Sequence, residues 1–259
     1  MNKQRSVITH FHTYKNSGTS FDELLTENFG DSHLIFDGPF SYSFINQEEL
    51  NKIVRRHPTH IAFSSHSIRL PVPTNLWSNV LAAVFIRHPI LRVRSVYGFE
   101  TRNSDASDII DFDAWVTAQR KAKTIYLLSN SQTQMFSGVY GRVGLHKDFT
   151  HKKMGDRLES DLSQAKRNLQ CVPLLARTEY FDEDVQRFGS VLAKHEIEFK
   201  FTKKRAANVS NPNAEKSTED RIQLVKGELS EENYRWLKYA NKLDQELYEF
   251  AGRLLSSAP

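Results

Sequence analysis

Residues 7–21 read Val7-Ile8-Thr9-His10-Phe11-His12-Thr13-Tyr14-Lys15-Asn16-Ser17-Gly18-Thr19-Ser20-Phe21. The apolar run Val7 to Phe11 predicts a buried strand. Phe21, Leu24, Leu25 and Phe29 then recur at i, i+3, i+4 and i+8, the stripe of an amphipathic helix. Between them a short loop carries a lysine and a glycine, so the unit reads strand, tight loop, helix N-terminus. Such a unit can cradle an anion. Gly18 lets backbone N–H groups come close to a phosphate, the helix start adds about half a positive charge, and Lys15 supplies a movable full one. Ser20 to Glu23 also fits a capping box, which reads the same residues as a capped helix beside a solvated lysine. The loop departs from a Walker A motif, where the lysine follows the last glycine.

Working outward, further short apolar runs predict strands at Leu34 to Phe36, Ile61 to Phe63, Leu81 to Ile86 and Val172 to Leu175, with a weaker sixth at Phe199 to Phe201. Helical stripes lie between them: Leu50, Ile53 and Val54; Phe112, Trp115 and Val116; Val185, Phe188 and Leu192. A long C-terminal stripe, Leu237 to Leu254, is expected to open with Ser230 as N-cap. Alternating strands and helices imply right-handed crossovers and a parallel sheet. The expected fold is a P-loop-like, doubly wound α/β sheet of about five strands flanked by helices, one domain over residues 1–259. Two polar stretches, Gly138 to Arg157 and Lys203 to Arg221, read as loops over the substrate or cofactor.

Composition narrows the function classes. Of 259 residues, 39% are hydrophobic and 25% charged, enough for a core and too apolar for a collagenous or wholly disordered chain. Lys and Arg number 35 against 31 Asp and Glu, a net charge of +4, which is weak for a nucleic-acid binder. The single cysteine, Cys171, excludes an internal disulfide and a cysteine-built metal site, and suits a reducing compartment. Val80 to Ile86 is far shorter than the roughly 18 apolar residues of a membrane span. Met1 to Ser6 leads into the first strand without a signal-type apolar region, so a cytoplasmic location is expected.

In an open parallel sheet, ligands sit beyond the carboxyl ends of the strands, so the residues just after each strand matter most. The fourth strand ends at Arg87; His88-Pro89 opens a helix that carries Ser95 eight residues after Arg87. An arginine fork and a serine hydroxyl in that arrangement can bind a second phosphate. The third strand ends in Ser64-Ser65-His66, which places an imidazole at the same edge, able to take a proton at neutral pH. His10 and His12 share a strand face, but two ligands are too few for a metal site, and none is expected.

Tyr14-Lys15-Asn16-Ser17-Gly18-Thr19-Ser20 resembles the 5′-phosphosulfate loop of sulfotransferases that use 3′-phosphoadenosine 5′-phosphosulfate (PAPS), in particular the carbohydrate branch. Phe85-Ile86-Arg87-His88-Pro89, followed by Ser95 and Tyr97, resembles the same family's 3′-phosphate motif, with His88 where Asp is usual. Asn130 to Gly138, Leu175 to Asp182 and Asn241 to Tyr248 add to the likeness. The resemblance implies that Lys15, Asn16, Ser17, Gly18, Thr19 and Ser20 hold the 5′-phosphosulfate and that Arg87 and Ser95 hold the 3′-phosphate. His66 would be general base, with Glu48, Glu49 or Glu179 as alternatives, and Lys15 would stabilise the departing phosphate oxygen. PAP (adenosine 3′,5′-bisphosphate) is then the product, no metal is implied, and the acceptor is a small polar alcohol such as a sugar, glycolipid head group or natural product. Trp77, Tyr97 and Phe99 are candidates for its pocket. Other classes are a nucleotide-dependent phosphotransferase and a nucleic-acid-binding module using Arg92, Arg94, Arg102, Lys152 and Lys153.

Overall fold

The computed structural model describes residues 4–40, 43–73, 78–102, 110–122, 127–138, 151–202 and 216–257, with residues 151–160 described in backbone only. The elements run β1 (Arg5–Phe11), α1 (Gly18–Phe29), β2 (His33–Ile35), α2 (Gln47–Arg56), β3 (Ala62–Ser65), β4 (Ser78–Ile86), α3 (Pro89–Glu100), α4 (Phe112–Ala122) and α5 (Ser131–Ser137). They continue with α6 (His151–Gln170), β5 (Leu174–Arg177), α7 (Phe181–Gln186), α8 (Phe188–Ala193), α9 (Thr218–Gly227), α10 (Glu231–Ala240) and α11 (Lys242–Ser257).

All five strands pair in parallel, in the order β2-β3-β1-β4-β5. From β1 the chain goes to the sheet edge at β2, fills the gap between them with β3, then crosses to β4 and β5 on the other side of β1, so the order reverses beside β1. That switch opens a crevice at the carboxyl ends of β1 and β4. Alternation along each strand separates two layers. Val80, Ala82, Val84 and Ile86 of β4 pack with α2, α5, α6 and α11 on one face. Leu81, Ala83 and Phe85 pack with α1, α7 and α8 on the other. A third cluster joins α3 and α4 to Val225 of α9 and Leu237 of α10. The doubly wound α/β reading therefore holds, including a long final helix of 16 residues. Among the described residues no helix is long and apolar enough to cross a membrane.

Several expectations are corrected. Phe199 to Phe201 forms no strand: Asn28 at the end of α1 grips Lys200 through both backbone groups, at 2.7 and 3.0 Å, and Phe199 is buried beside α8 without joining the sheet. The stripe Val185, Phe188, Leu192 is divided between two short helices. The C-terminal stripe breaks at Asn241, whose amide donates to Leu128 and Leu237 carbonyls while its Oδ1 accepts from Asn130 N–H. Ser230 does cap the first half, accepting from Asn233 N–H. Residues 151–157 and 218–221, read as loop, are helical. Leu162, Ala165 and Leu169 supply the buried stripe of α6, and Ser217 caps α9 by accepting from Asp220 N–H. The rest of those two stretches, 139–150 and 203–215, lies outside the described residues, as does Trp77.

Candidate functional site: a cationic rim and a histidine pair

The loop from β1 to α1 turns through two left-handed residues, Lys15 (φ +64°) and Ser17 (φ +60°), with Asn16 outside that region between them. Alternation of this kind gathers successive N–H groups into a concavity that favours anions. Phe21 N–H bonds Ser17 carbonyl at 3.2 Å and closes the first turn of α1. Gly18, Thr19 and Ser20 therefore have no acceptor within the helix for their own N–H groups. Helix α1 starts two residues before Ser20, so the capping box read at Ser20–Glu23 does not form; Ser17 stands at the N-cap and makes no side-chain cap.

Side chains from elsewhere in the fold hold this loop rigid. Asn16 is buried, and its Nδ2 donates to Phe85 carbonyl and Gln132 Oε1, each at 2.9 Å. Its side-chain amide thus ties the loop to β4 and α5, while its buried Oδ1 has no hydrogen-bond partner. Gln132 clamps the backbone of Arg87 from both sides, accepting its N–H at 2.9 Å and donating to its carbonyl at 2.8 Å. Gln132 is fixed in turn by Asp244, which accepts N–H groups of Gln132 and Thr133 at 3.0 and 2.7 Å, while Asn130 Oδ1 accepts those of Leu243 and Asp244. Helices α5 and α11 thus satisfy each other's first-turn donors. Arg92 and Arg87 then donate to consecutive loop carbonyls, Tyr14 at 3.2 Å and Lys15 at 3.0 Å.

That last bond joins the two predicted phosphate sites in one place. Lys15 Nζ stands 4.2 Å above the ring of Phe99, which Arg102 also approaches. Partial burial, then the charges of Arg87 and Arg102, pull the lysine below its ordinary range. Burial lowers Arg87 to about 10, with Arg221 and Arg92 contributing and Glu179 opposing, so it stays charged at neutral pH. Its Nε lies 3.8 Å from the fully buried carboxylate of Glu179 and has no hydrogen-bond partner. Glu179 spends its oxygens on His88 N–H, both at 3.2 Å. Ser95 is half-buried on α3, and its hydroxyl makes no hydrogen bond to the described residues.

The third predicted residue arrives at the same edge. His66 follows β3, half-exposed, and its Nδ1 pairs with Asp37 at 3.1 Å while its N–H donates to the other carboxylate oxygen at 2.6 Å. Its ring stacks on His12, centroids 3.8 Å apart. Burial and then His12 lower the pKa of His66, with Asp37 and Asp22 opposing. Burial alone would raise Asp37; hydrogen bonds from Ser65 and His66 outweigh it and hold the carboxyl below its usual range. Behind the stack, Asp22 of α1 receives Nδ1 of His10 at 2.7 Å and of His12 at 2.8 Å. One ligand atom from each of His10, His12 and Asp22 lies within 4.8 Å of the others, but both Nδ1 atoms and both carboxylate oxygens are engaged in that hydrogen-bonded array, and we assign no metal to them.

Gly18 is the contact between the two halves. A Cβ there would lie 2.0 Å from the His12 ring, so the glycine admits the imidazole to the helix start as well as any ligand. Gly18→Ala is expected to cost about 1–3 kcal/mol by overpacking. Urea unfolding would measure that loss, and histidine ring shifts in NMR should register displacement of the stack.

The structure thus brings together Lys15, Ser17, Gly18, Thr19, Ser20, Arg87 and His66. The glutamate alternatives are committed elsewhere: Glu48 to Lys52, Glu49 to the Asn46 capping box and Glu179 to His88 and Arg87. Tyr97 belongs to the core, its hydroxyl on Ile110 carbonyl, whereas Phe99 is exposed beneath Lys15. Sequence reasoning missed Asp37, His12 as a site member, and Gln132. Their signals were faint: an aspartate just past an edge strand, a histidine one residue beyond a strand, and a glutamine in a polar run.

No family model matches the chain. An uncharacterized protein of Archaeoglobus fulgidus is 27% identical to it over 248 residues, a match that covers 95% of each chain.

Proposed function

We propose that this chain transfers a sulfuryl group from PAPS to a hydroxyl of a small polar acceptor and releases PAP. The observation that carries the reading is the bond from Arg87 Nη1 to Lys15 carbonyl, which makes one cationic rim of two segments 72 residues apart. The donor fits the residues present. The N–H concavity of Ser17 to Ser20 with Lys15 suits its 5′ end, while Arg87, whose buried Nε is unpartnered, and Ser95 suit its 3′-phosphate. When bound, it supplies an activated sulfuryl group with a phosphate as leaving group.

The chain's own residues then divide the work. Asp37 holds the Nδ1–H of His66, which leaves Nε2 as the basic nitrogen to accept the acceptor's hydroxyl proton. Lys15 neutralises charge gathering on the leaving oxygen, and the helix-start N–H groups orient the group being transferred. The competing classes find less support. Arg92 is buried under the loop, and Arg94 is paired with Glu228 at 2.7 Å, so neither offers a free charge to nucleic acid; Lys152 and Lys153 have no described side chains. We place the reaction in the cytoplasm, consistent with the single exposed Cys171.

Thermal melting tests the reading. PAP at 100 times its Kd should stabilise the chain by about 2.7 kcal/mol. ATP with magnesium and a generic oligonucleotide should do much less. Lys15→Ala removes a charge-assisted contact of about 1.5–3 kcal/mol, which should weaken PAP roughly 10- to 150-fold. Stabilisation by ATP or the oligonucleotide in preference to PAP would overturn the assignment.

A further inference from the structure

Two imidazoles meet face to face at the rim, each with its own carboxylate: His66 on Asp37 and His12 on Asp22. The general-base reading uses only the first. His12 lies at the end of β1, its ring fitted against Gly18, and its Nδ1 is fixed by a carboxylate that His10 shares from behind. Nothing in the phosphate-binding part of the site requires a histidine there. A flat ring without a titratable nitrogen would fill the same space.

What a histidine adds is a second place for a proton, directly against the first. At centroids 3.8 Å apart, two imidazolium rings repel by an amount that survives even a high effective dielectric. A charge on one ring therefore disfavours a proton on the other. The other titratable groups facing it are Asp37, just past β2, Asp22 from α1, and His10, whose ring stacks on the far face of His12 with centroids 5.1 Å apart and which burial lowers to about 4, keeping it uncharged at neutral pH. Arg69, from the same loop, donates to the His66 carbonyl on the backbone side.

We propose that His12 is a positioning residue for His66: it fixes the plane of that ring by stacking, and by competing for the same proton it holds His66 in the neutral, proton-accepting form. The proposal rests on the reading of His66 as the base, and it assigns Asp22 the task of anchoring His12. At neutral pH the arrangement keeps Nε2 of His66 free. After the acceptor proton arrives there, the neighbouring ring favours its departure to water, because the stack tolerates one excess proton and resists a second.

The test is an NMR titration of histidine rings in the full chain, with no nucleotide present, for the native sequence, His12→Phe and His12→Gln. Phenylalanine keeps the stacked face and the burial while removing the proton site; glutamine is the variant of choice should the phenylalanine fail to fold. The expected result is that in either variant His66 titrates higher than in the native chain, by about one pH unit after allowance for solvent screening. The acid limb of the transfer rate should move up by the same amount. A His66 titration unmoved in the variants would overturn the proposal. PAP binding separates the two readings. If PAP fails to stabilise the chain but the titration shifts, the donor assignment falls and the histidine pair stands; the reverse outcome removes the pair and leaves the donor site.

Discussion

Arg87→Ala is expected to lower the stability of the chain by about 3 kcal/mol, the cost of leaving a buried carboxylate without its cation, and to abolish stabilisation by PAP. The side chain of Glu179 is wholly buried, and that of Arg87 is 17% exposed. The charge left behind therefore has little solvent to turn to. The same change removes the donor to the Lys15 carbonyl and frees a loop that carries two left-handed residues. At about 2–4 °C per kcal/mol for a chain of this size, the melting temperature should fall by roughly 6–12 °C. Stability and binding can be separated. Arg87→Ala combined with Glu179→Gln removes the orphaned charge and should recover most of the stability while leaving PAP without effect. Denaturant unfolding and ligand-dependent melting on the two variants decide the matter: an Arg87→Ala chain that PAP still stabilises normally would show that the 3′-phosphate is held elsewhere.

Why that arginine was legible in the sequence, and its surroundings were not, has a physical basis. Val80 to Ile86 of β4 is an unbroken apolar run with a charge directly after it, and a charge at the carboxyl end of a buried strand has few places to go except the crevice. Lys15 and Gly18 announced themselves in the same way, between a strand and an amphipathic stripe. By contrast, Gln132 and Asp244 act through backbone atoms of residues far away in the chain, and no local pattern encodes such a partner. Asn241 belongs to the same class. Its helical stripe continues on both sides, so periodicity predicts one helix. The tertiary bonds of its amide to Leu128 and Asn130 end the first helix and start the second. The segment Phe199 to Phe201 failed in the opposite direction: its apolar alternation suits an edge strand, but the backbone bonds that would make it one are taken by Asn28.

Of the site chemistry, the residue types were readable and their pairings were not. His66 was visible as a histidine after a strand. That its Nδ1 would be tied by Asp37 depends on β2 lying beside β3, a topological fact that emerges from the sheet order. His12 was visible too, but with His10 it suggested a half-built metal site. Helix α1 supplies Asp22 to both, which converts them into a hydrogen-bonded array behind His66. At His88 it is the backbone N–H, which any residue could offer, that binds Glu179.

Lowering the pH from 7 to 5 should cost the folded chain on the order of 4 kcal/mol, through His10 and His88. Burial lowers both to about 4, in His10 against the pull of Asp22 and in His88 against that of Glu219 and Glu249. In the unfolded chain each takes up its proton near 6.5, so between about 6.5 and 4 the unfolded state binds more protons than the folded one. Stability from this source is therefore complete above about pH 6.5 and is lost as the pH falls toward 4, roughly 2 kcal/mol per histidine at pH 5. Asp22 adds nothing in that window. Burial would raise it, but bonds from His10 and His12 dominate and keep it ionised, so its own contribution disappears only below the ordinary carboxylate range. The melting temperature should drop by about 8–16 °C between pH 7 and 5, and His88→Gln should remove about half of that drop. A melting temperature that stays level or rises on acidification would mean that both His10 and His88 take up their protons in the folded state as readily as in the unfolded chain. That outcome would also place a cation behind Asp22, where it would compete with His12 for the carboxylate and weaken the anchor of the stacked pair.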